Sequence, residues 1–274
     1  MPTGPEQRRR TERAMEALLM CRLCPRECGV DRLAGRTGFC GLTAEARCFR
    51  EVLHYGEEKE LCPSHQIYFS GCNLRCEFCA VGEWNETPLA ARATDGEALR
   101  RRILRRKEQG SRNLNILGGE PTCSLPGILA AIGGSRAGLP VVWNSNMYFR
   151  PAAAELLEGF VDLYLADWKT GNAECARRML GAADYVQVVR ANLHFARRMA
   201  DLIVRHVVLP GHAKCCLEPV LRGLKEDFPG VRVSLRGDYL PPAQARSAPP
   251  GGLAPAEFAA ALDRAKALGL RLIV

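Results

Sequence analysis

From Gln66 onward the chain alternates short apolar runs with longer amphipathic stretches. Apolar runs of strand length, bounded by glycine, proline, asparagine or aspartate, predict strands over 66–70, 113–117, 141–144, 161–166, 202–209, 231–235 and 271–274. Between them, apolar positions at helical spacing predict helices over 96–109, 125–132, 151–158, 184–200, 215–227 and 255–267. Pro151 and Pro255 suit first helical turns, where a missing N–H goes unnoticed, and Gly110 suits a helix stop. Strand–helix repetition of this kind requires right-handed crossovers and a parallel sheet, either open and doubly wound or curled into a barrel. The preceding segment differs. A short helix over 5–20 leads into a cysteine-rich, glycine-punctuated stretch ending near Cys62 with little periodicity, the pattern of a metal-stapled subdomain. Two regions are therefore expected, 1–62 and 63–274, and the proline- and glycine-rich run 241–252 reads as a surface loop or a linker.

Composition narrows the setting. With 274 residues, 47% hydrophobic and 25% charged, the chain can bury one large α/β core beside a small appendage. No stretch approaches the roughly eighteen consecutive apolar residues of a membrane span, and the apolar run over 15–20 is broken by Glu16. A cytoplasmic protein with no membrane partner is expected. Thirteen cysteines in such a setting read as metal ligands rather than disulfides, because cytosolic thiols are kept reduced. The formal charge of +8 includes a basic run over 100–107. That run falls on what reads as a solvated helix face, and only six of the 38 basic residues are lysine, so the bias reflects arginine-rich composition rather than a nucleic-acid site.

The unusual polar or glycine-rich peptides fall just after strands, at 71–79, 118–121, 144–146, 167–169 and 210–212. In parallel α/β barrels the loops at the C-terminal ends of strands assemble one active site, and five such peptides on one rim point to a shared site.

The first of them, CNLRCEFC, supplies Cys72, Cys76 and Cys79 within eight residues. Structural zinc normally closes with four protein ligands, whereas an iron–sulfur cube on three cysteines leaves one iron free. Zinc completed by a distant fourth cysteine is the alternative on spacing alone. With its aromatic Phe78 before the last cysteine, this C-x3-C-x2-C motif resembles that of the radical S-adenosylmethionine (SAM) superfamily. The resemblance implies a partial (β/α)6-type parallel barrel and a [4Fe-4S] cluster on Cys72, Cys76 and Cys79, with SAM chelated to the free iron and cleaved to a 5′-deoxyadenosyl radical. It also implies that Phe78 packs near adenine and that Gly118-Gly119-Glu120-Pro121, similar to the family's GGEP motif, binds the SAM amino group. Glycines permit close backbone approach there, and a carboxylate can receive an ammonium. Asp167-Trp168-Lys169 resembles the Asp-x-Lys element of glycyl-radical-enzyme activases, and His206 in RHVVLPG resembles a histidine approaching SAM. Read alone, the first is a salt bridge at a strand end and the second a satisfied interior histidine. Asn144 and Asn146, at another strand end, are candidate ribose or substrate contacts.

The resemblance is nearest to iron–sulfur proteins related to pyruvate formate-lyase activating enzyme, whose N-terminal signature looks like CRLCPRECGVDRLAGRTGFC. It supplies Cys21, Cys24, Cys28 and Cys40 for an auxiliary cluster or a structural zinc, the cluster being favoured. These cysteines precede the SAM-cluster loop, whereas activases with extra clusters carry theirs after it. Cys48, Cys62, Cys123, Cys175, Cys215 and Cys216 read as small hydrophobes, with Cys123 or the Cys215-Cys216 pair as candidate hydrogen donors or second-cluster ligands. The expected activity is an activating-enzyme-like oxidoreductase that abstracts hydrogen from a peptide or protein, supplied with electrons by a flavodoxin- or ferredoxin-like donor. Glycyl-radical activation is its special case. Modification of RNA or a small molecule, or simple electron transfer, are the alternatives.

Overall fold

The computed structural model describes residues 4–56, 58–133, 136–242 and 248–273. In chain order the elements are α1 (Gly4–Glu16), β1 (Arg47–His54), β2 (Ser64–Phe69), α2 (Glu83–Glu86), β3 (Arg92–Ala93), α3 (Gly96–Glu108), β4 (Leu114–Gly118), α4 (Leu125–Ile132), β5 (Val141–Ser145) and α5 (Pro151–Leu157). There follow β6 (Leu163–Asp167), α6 (Ala173–Leu180), α7 (Tyr185–Met199), β7 (Asp201–Val207), α8 (Glu218–Asp227), β8 (Arg232–Arg236), α9 (Pro255–Ala267) and β9 (Arg271–Leu272). All seven expected strands form, and α9 starts at Pro255 as the sequence requires. Positions 243–247 of the expected loop and Val274 of the last expected strand lie outside the described residues.

The chain divides into two compact units. The first comprises residues 1–73 and 81–164, the second 74–80 and 165–274. In the first, strands run in the order β3-β1-β2-β4-β5, with β1 antiparallel to β2 and β3, and β2, β4 and β5 parallel. In the second the order is β6-β7-β8-β9, with β7, β8 and β9 parallel. The core of the first unit includes Trp143 edge-on to Phe160, and that of the second includes Trp168 edge-on to Phe228. Such burial of large rings dominates core energetics.

Several expectations need correction. The first helix ends at Glu16 rather than position 20, because the next main-chain groups are claimed by the cysteine segment: Leu18 O accepts from Arg32 N, and Cys21 N donates to Val30 O. The segment before Cys62 contains a strand after all. β1 is half-buried along nearly its whole length, so it carries no clean alternation to read. The helix expected over 215–227 begins as a π turn over Ala213–Leu217 before α8, and α6 was absent from the sequence pattern. The basic run is on α3, which buries Leu99 and Ile103 and exposes Arg101, Arg105 and Lys107.

Register fixes the glycine turn after β4. Gly118 pairs with Phe69 and has φ +137°, and a Cβ there would lie 2.0 Å from the Phe69 carbonyl oxygen. Gly118→Ala is expected to cost more than about 4 kcal/mol in denaturant unfolding, or to prevent folding. Gly110→Ala, at φ +90° with open space around its Cβ, is expected to cost only on the order of 1–3 kcal/mol of backbone strain.

Candidate active site

In the first unit the rim is organised by Glu120, which is fully buried. Its Oε1 accepts from Thr122 N (3.0 Å), Thr122 Oγ1 (2.6 Å) and Ser145 Oγ (2.9 Å), and its Oε2 accepts from Asn146 N (2.8 Å). Burial raises its pKa while these donors oppose the shift. Three donors converge on Oε1 and one on Oε2, which leaves Oε2 an acceptor site. Glu120 therefore ties the end of β4 to the end of β5. The turn it supports places Met147 in the left-handed region at φ +58°, held by Met147 N donating to Ser145 Oγ (2.9 Å) and Tyr148 N to Asn146 Oδ1 (2.8 Å). Asn146 Nδ2 donates to Asn73 Oδ1 (2.9 Å) and reaches Cys72 Sγ at 3.7 Å. Asn146 is thus a neighbour of the first cysteine of the CNLRCEFC loop, and Asn144 is buried two residues before it.

The remaining loop cysteines lie in the second unit. Arg75 N and Glu77 N donate to Leu180 O and Met179 O, anchoring the loop on the end of α6. Cys76 and Cys79 are half-exposed as residues, and so is Phe78. Burial pushes the Cys76 thiol up to about 12, with the Lys169 charge the largest opposing influence. Lys169 Nζ donates to Asp167 Oδ2 (2.6 Å), and Arg205 Nε donates to Asp167 Oδ1 (2.7 Å). Against the upward pull of burial, Arg205 and Lys169 hold the Asp167 carboxyl at about 2. His206 lies beside them, buried, with Nδ1 2.6 Å from Trp168 O. That carbonyl can only accept, so Nδ1 carries the proton and Nε2 is the bare nitrogen. Burial lowers the His206 pKa to about 4, so the imidazole is neutral near pH 7.

The N-terminal cysteines Cys21, Cys24, Cys28 and Cys40 line one small cavity in the first unit together with Arg32, Phe39 and Cys123. The cavity is supplied with donors. Arg32 is buried, donates through Nε and Nη2 to Thr43 O, and points Nη1 at Cys21 Sγ (3.7 Å); Phe39 N donates to Cys28 Sγ (3.2 Å). Cys40 packs against Cys123, whose thiol lowers the Cys40 pKa, whereas burial raises Cys24 to about 12. The segment is fastened to the cluster loop by Arg26, whose Nε donates to Asn73 O (2.8 Å) and whose guanidinium lies 4.0 Å from the Phe39 ring centroid.

The Radical SAM superfamily model matches residues 67–223. The chain belongs to the radical SAM superfamily. It is 35% identical over 236 residues to an uncharacterized protein of Methanocaldococcus jannaschii, covering 84% of this chain and 68% of that one. Among solved structures it resembles SuiB of Streptococcus suis bound to SAM (TM-score 0.52, 16% identity) and SuiB bound to its precursor peptide SuiA (TM-score 0.53, 14% identity). These alignments cover 73% and 74% of this chain but 47% and 46% of SuiB, so the chain spans about half of that protein. A radical SAM methyltransferase from Sphaerobacter thermophilus aligns over 100% of this chain and 93% of its own (TM-score 0.51, 14% identity). The shared fold is mixed α/β with a mostly parallel sheet of the partial-barrel type, as expected.

Membership of the radical SAM superfamily implies a [4Fe-4S] cluster and SAM. The residues present fit both groups: three cysteines on one loop, an amide beside Cys72, a lysine charge at Cys76, and a glycine turn with no room for a Cβ. No helix of the described residues is long and apolar enough to cross a membrane. Cys175, His212, Cys215 and Cys216 bring their ligand atoms within 4.8 Å of one another, the one such group of three or more among the described residues. The sequence offered the Cys215-Cys216 pair as second-cluster ligands but did not join His212 to it, and nothing linked the pair to Cys175, 37 residues upstream of His212.

Two outcomes are expected. Glu120→Gln places an amide N–H against existing donors and is expected to lower stability by roughly 1–3 kcal/mol, measured by denaturant unfolding. The second concerns His206. Between pH about 4 and 6.5 the unfolded chain binds a proton at this position that the folded chain lacks, so stability falls on acidification through that window and is level above it. The expected slope is about 1.4 kcal/mol per pH unit from this group, and His206→Gln should remove it from unfolding free energies measured between pH 4.5 and 7.

Proposed function

We propose that this radical SAM enzyme abstracts hydrogen from a peptide or protein substrate, with Cys72, Cys76 and Cys79 as the ligands of its SAM cluster. The observation that carries the assignment is the three-cysteine loop itself, whose sulfurs are served in each unit by the polar groups that follow neighbouring strands. When bound, the cluster and SAM supply a 5′-deoxyadenosyl radical; positioning and exclusion of water fall to the protein. Gly118, Gly119, Glu120 and Pro121 form the turn that receives the SAM amino group, with the remaining acceptor site of Glu120 Oε2 available to it. Asn146 orients Cys72, and Asn144 lies at the same strand end for ribose or substrate. Phe78 offers its half-exposed ring to adenine. Asp167 and Lys169 hold opposite charges in fixed places beside Cys76, and neutral His206 presents an acceptor nitrogen.

A polypeptide substrate is supported by SuiB, a fold neighbour with a structure bound to a precursor peptide. Glycyl-radical activation is a special case supported by the Asp167-x-Lys169 and His206 arrangement, and a flavodoxin- or ferredoxin-like donor is the matching electron source. The N-terminal cysteines suit an auxiliary cluster. Their ligand atoms do not gather within the span of a single ion, and the donors from Arg32 and Phe39 to their sulfurs are of the kind that tunes cluster potentials.

Anaerobic reconstitution with iron and sulfide, followed by reduction and assay of 5′-deoxyadenosine, tests the reading. Wild type should hold about eight irons per chain, by about four for each cube, and Cys76→Ala should lose deoxyadenosine formation while retaining the N-terminal iron. About four irons in wild type with activity intact would remove the auxiliary cluster from the proposal. Absence of deoxyadenosine at full iron loading would overturn it.

A further inference from the structure

The group Cys175, His212, Cys215 and Cys216 lies wholly in the second unit and has no part in the site proposed above. Its distances are those of a coordination shell. His212 Nδ1 lies 3.2 Å from Cys215 Sγ, 3.8 Å from Cys216 Sγ and 3.9 Å from Cys175 Sγ. A tetrahedral ion with zinc–sulfur bonds of about 2.3 Å and zinc–nitrogen bonds of about 2.05 Å separates sulfur from nitrogen by about 3.6 Å. The observed values bracket that separation. A four-iron cube places each thiolate on a different iron and spreads its sulfurs around a core, so a shell with every ligand atom within 4.8 Å suits one ion better.

Apolar packing does not explain the arrangement. Only Cys216 is buried, while Cys175, His212 and Cys215 are half-exposed. The local backbone is shaped to bring them together. In the π turn Cys216 N and Leu217 N both donate to His212 O, at 2.9 and 3.2 Å, which sets the histidine and the cysteine pair on one side of the turn. Asn172 supplies the link to Cys175. Its Oδ1 accepts from Cys175 N (2.8 Å) as the cap of α6, and its Nδ2 donates to Cys215 O (2.6 Å) and to Cys175 Sγ (3.4 Å). A donor to a ligating sulfur is the usual support of a metal shell. The two loops meet at Gly171, where a Cβ would lie 2.5 Å from Cys216 O.

We propose that Cys175, His212, Cys215 and Cys216 hold a single divalent metal ion of the zinc type in a closed tetrahedral site. On binding, three thiol protons pass to solvent and the imidazole binds through Nδ1 as the neutral ring, leaving the centre with one net negative charge. The Arg178 guanidinium is the opposing charge that acts on His212. Four protein ligands leave no open position, so the ion is structural. It clamps the first turn of α6, which follows β6, to the turn after β7, the strands whose ends carry Asp167, Lys169 and His206.

The test uses the full chain expressed in zinc-supplemented medium, with metal per chain measured for wild type, Cys215→Ser/Cys216→Ser, His212→Ala, His212→Cys and Cys21→Ser/Cys24→Ser. The first two variants are expected to lose one zinc, and His212→Cys to keep it. Cobalt added to the chelator-treated wild type should give thiolate-to-cobalt charge-transfer absorption that zinc displaces. That signal should persist in Cys21→Ser/Cys24→Ser and shift in His212→Cys. Neither readout requires SAM cleavage, so loss of enzyme activity leaves the result interpretable. Unchanged zinc in folded Cys215→Ser/Cys216→Ser would overturn the assignment. So would loss of about four irons, rather than one zinc, from that variant after reconstitution, which would mark a cube at this position.

Discussion

A buried carboxylate held by four donors is the constraint on which the first unit turns. Glu120 cannot be charged in a water-free interior without donors, and each donor it recruits comes from a place the chain must then adopt. Thr122 fixes the turn after β4, Ser145 fixes the end of β5, and Asn146 carries the order onward to Asn73 and Cys72. Arg26 joins the same chain from the N-terminal cysteine segment. Glycine at 118 is the steric counterpart of this polar network, since the strand pairing that brings Glu120 to its donors leaves no volume for a side chain there.

The second unit solves a similar problem with a different balance of charge. Asp167 is also desolvated, but two cations hold it ionised, and the adjacent Trp168 carbonyl fixes the tautomer of His206. Fixed charges and a neutral imidazole sit at the ends of adjacent strands β6 and β7. The segments that follow these same strands, the start of α6 and the π turn, carry the cysteine–histidine group, so rigidity at Asn172 and the π turn bears directly on where those charges stand. Preorganised charge of this kind requires a scaffold that does not relax around it.

What could be read from the chain depended on whether the informative residues were neighbours in sequence. The parallel strands and their helices declare themselves through local periodicity, and CNLRCEFC and GGEP are contiguous motifs. β1 escaped because both of its faces are half-covered, and α6 because eight residues give two turns of pattern at most. The donors to Glu120 were invisible because Ser145 and Asn146 come from the end of the next strand. Cys175 escaped for the same reason, its partners His212, Cys215 and Cys216 being supplied by another part of the chain. Topology brings these residues together, and topology is a property of the sheet rather than of any window of sequence.

The Cys40–Cys123 contact joins two parts of the first unit that are far apart in sequence. Cys123 follows Pro121 by two residues and sits in the turn capped by Glu120, yet it packs against a cysteine that lines the N-terminal cavity. An ion bound at Cys40 would leave that sulfur further lone pairs for the Cys123 thiol, so the turn after β4 would feel the charge brought into the cavity.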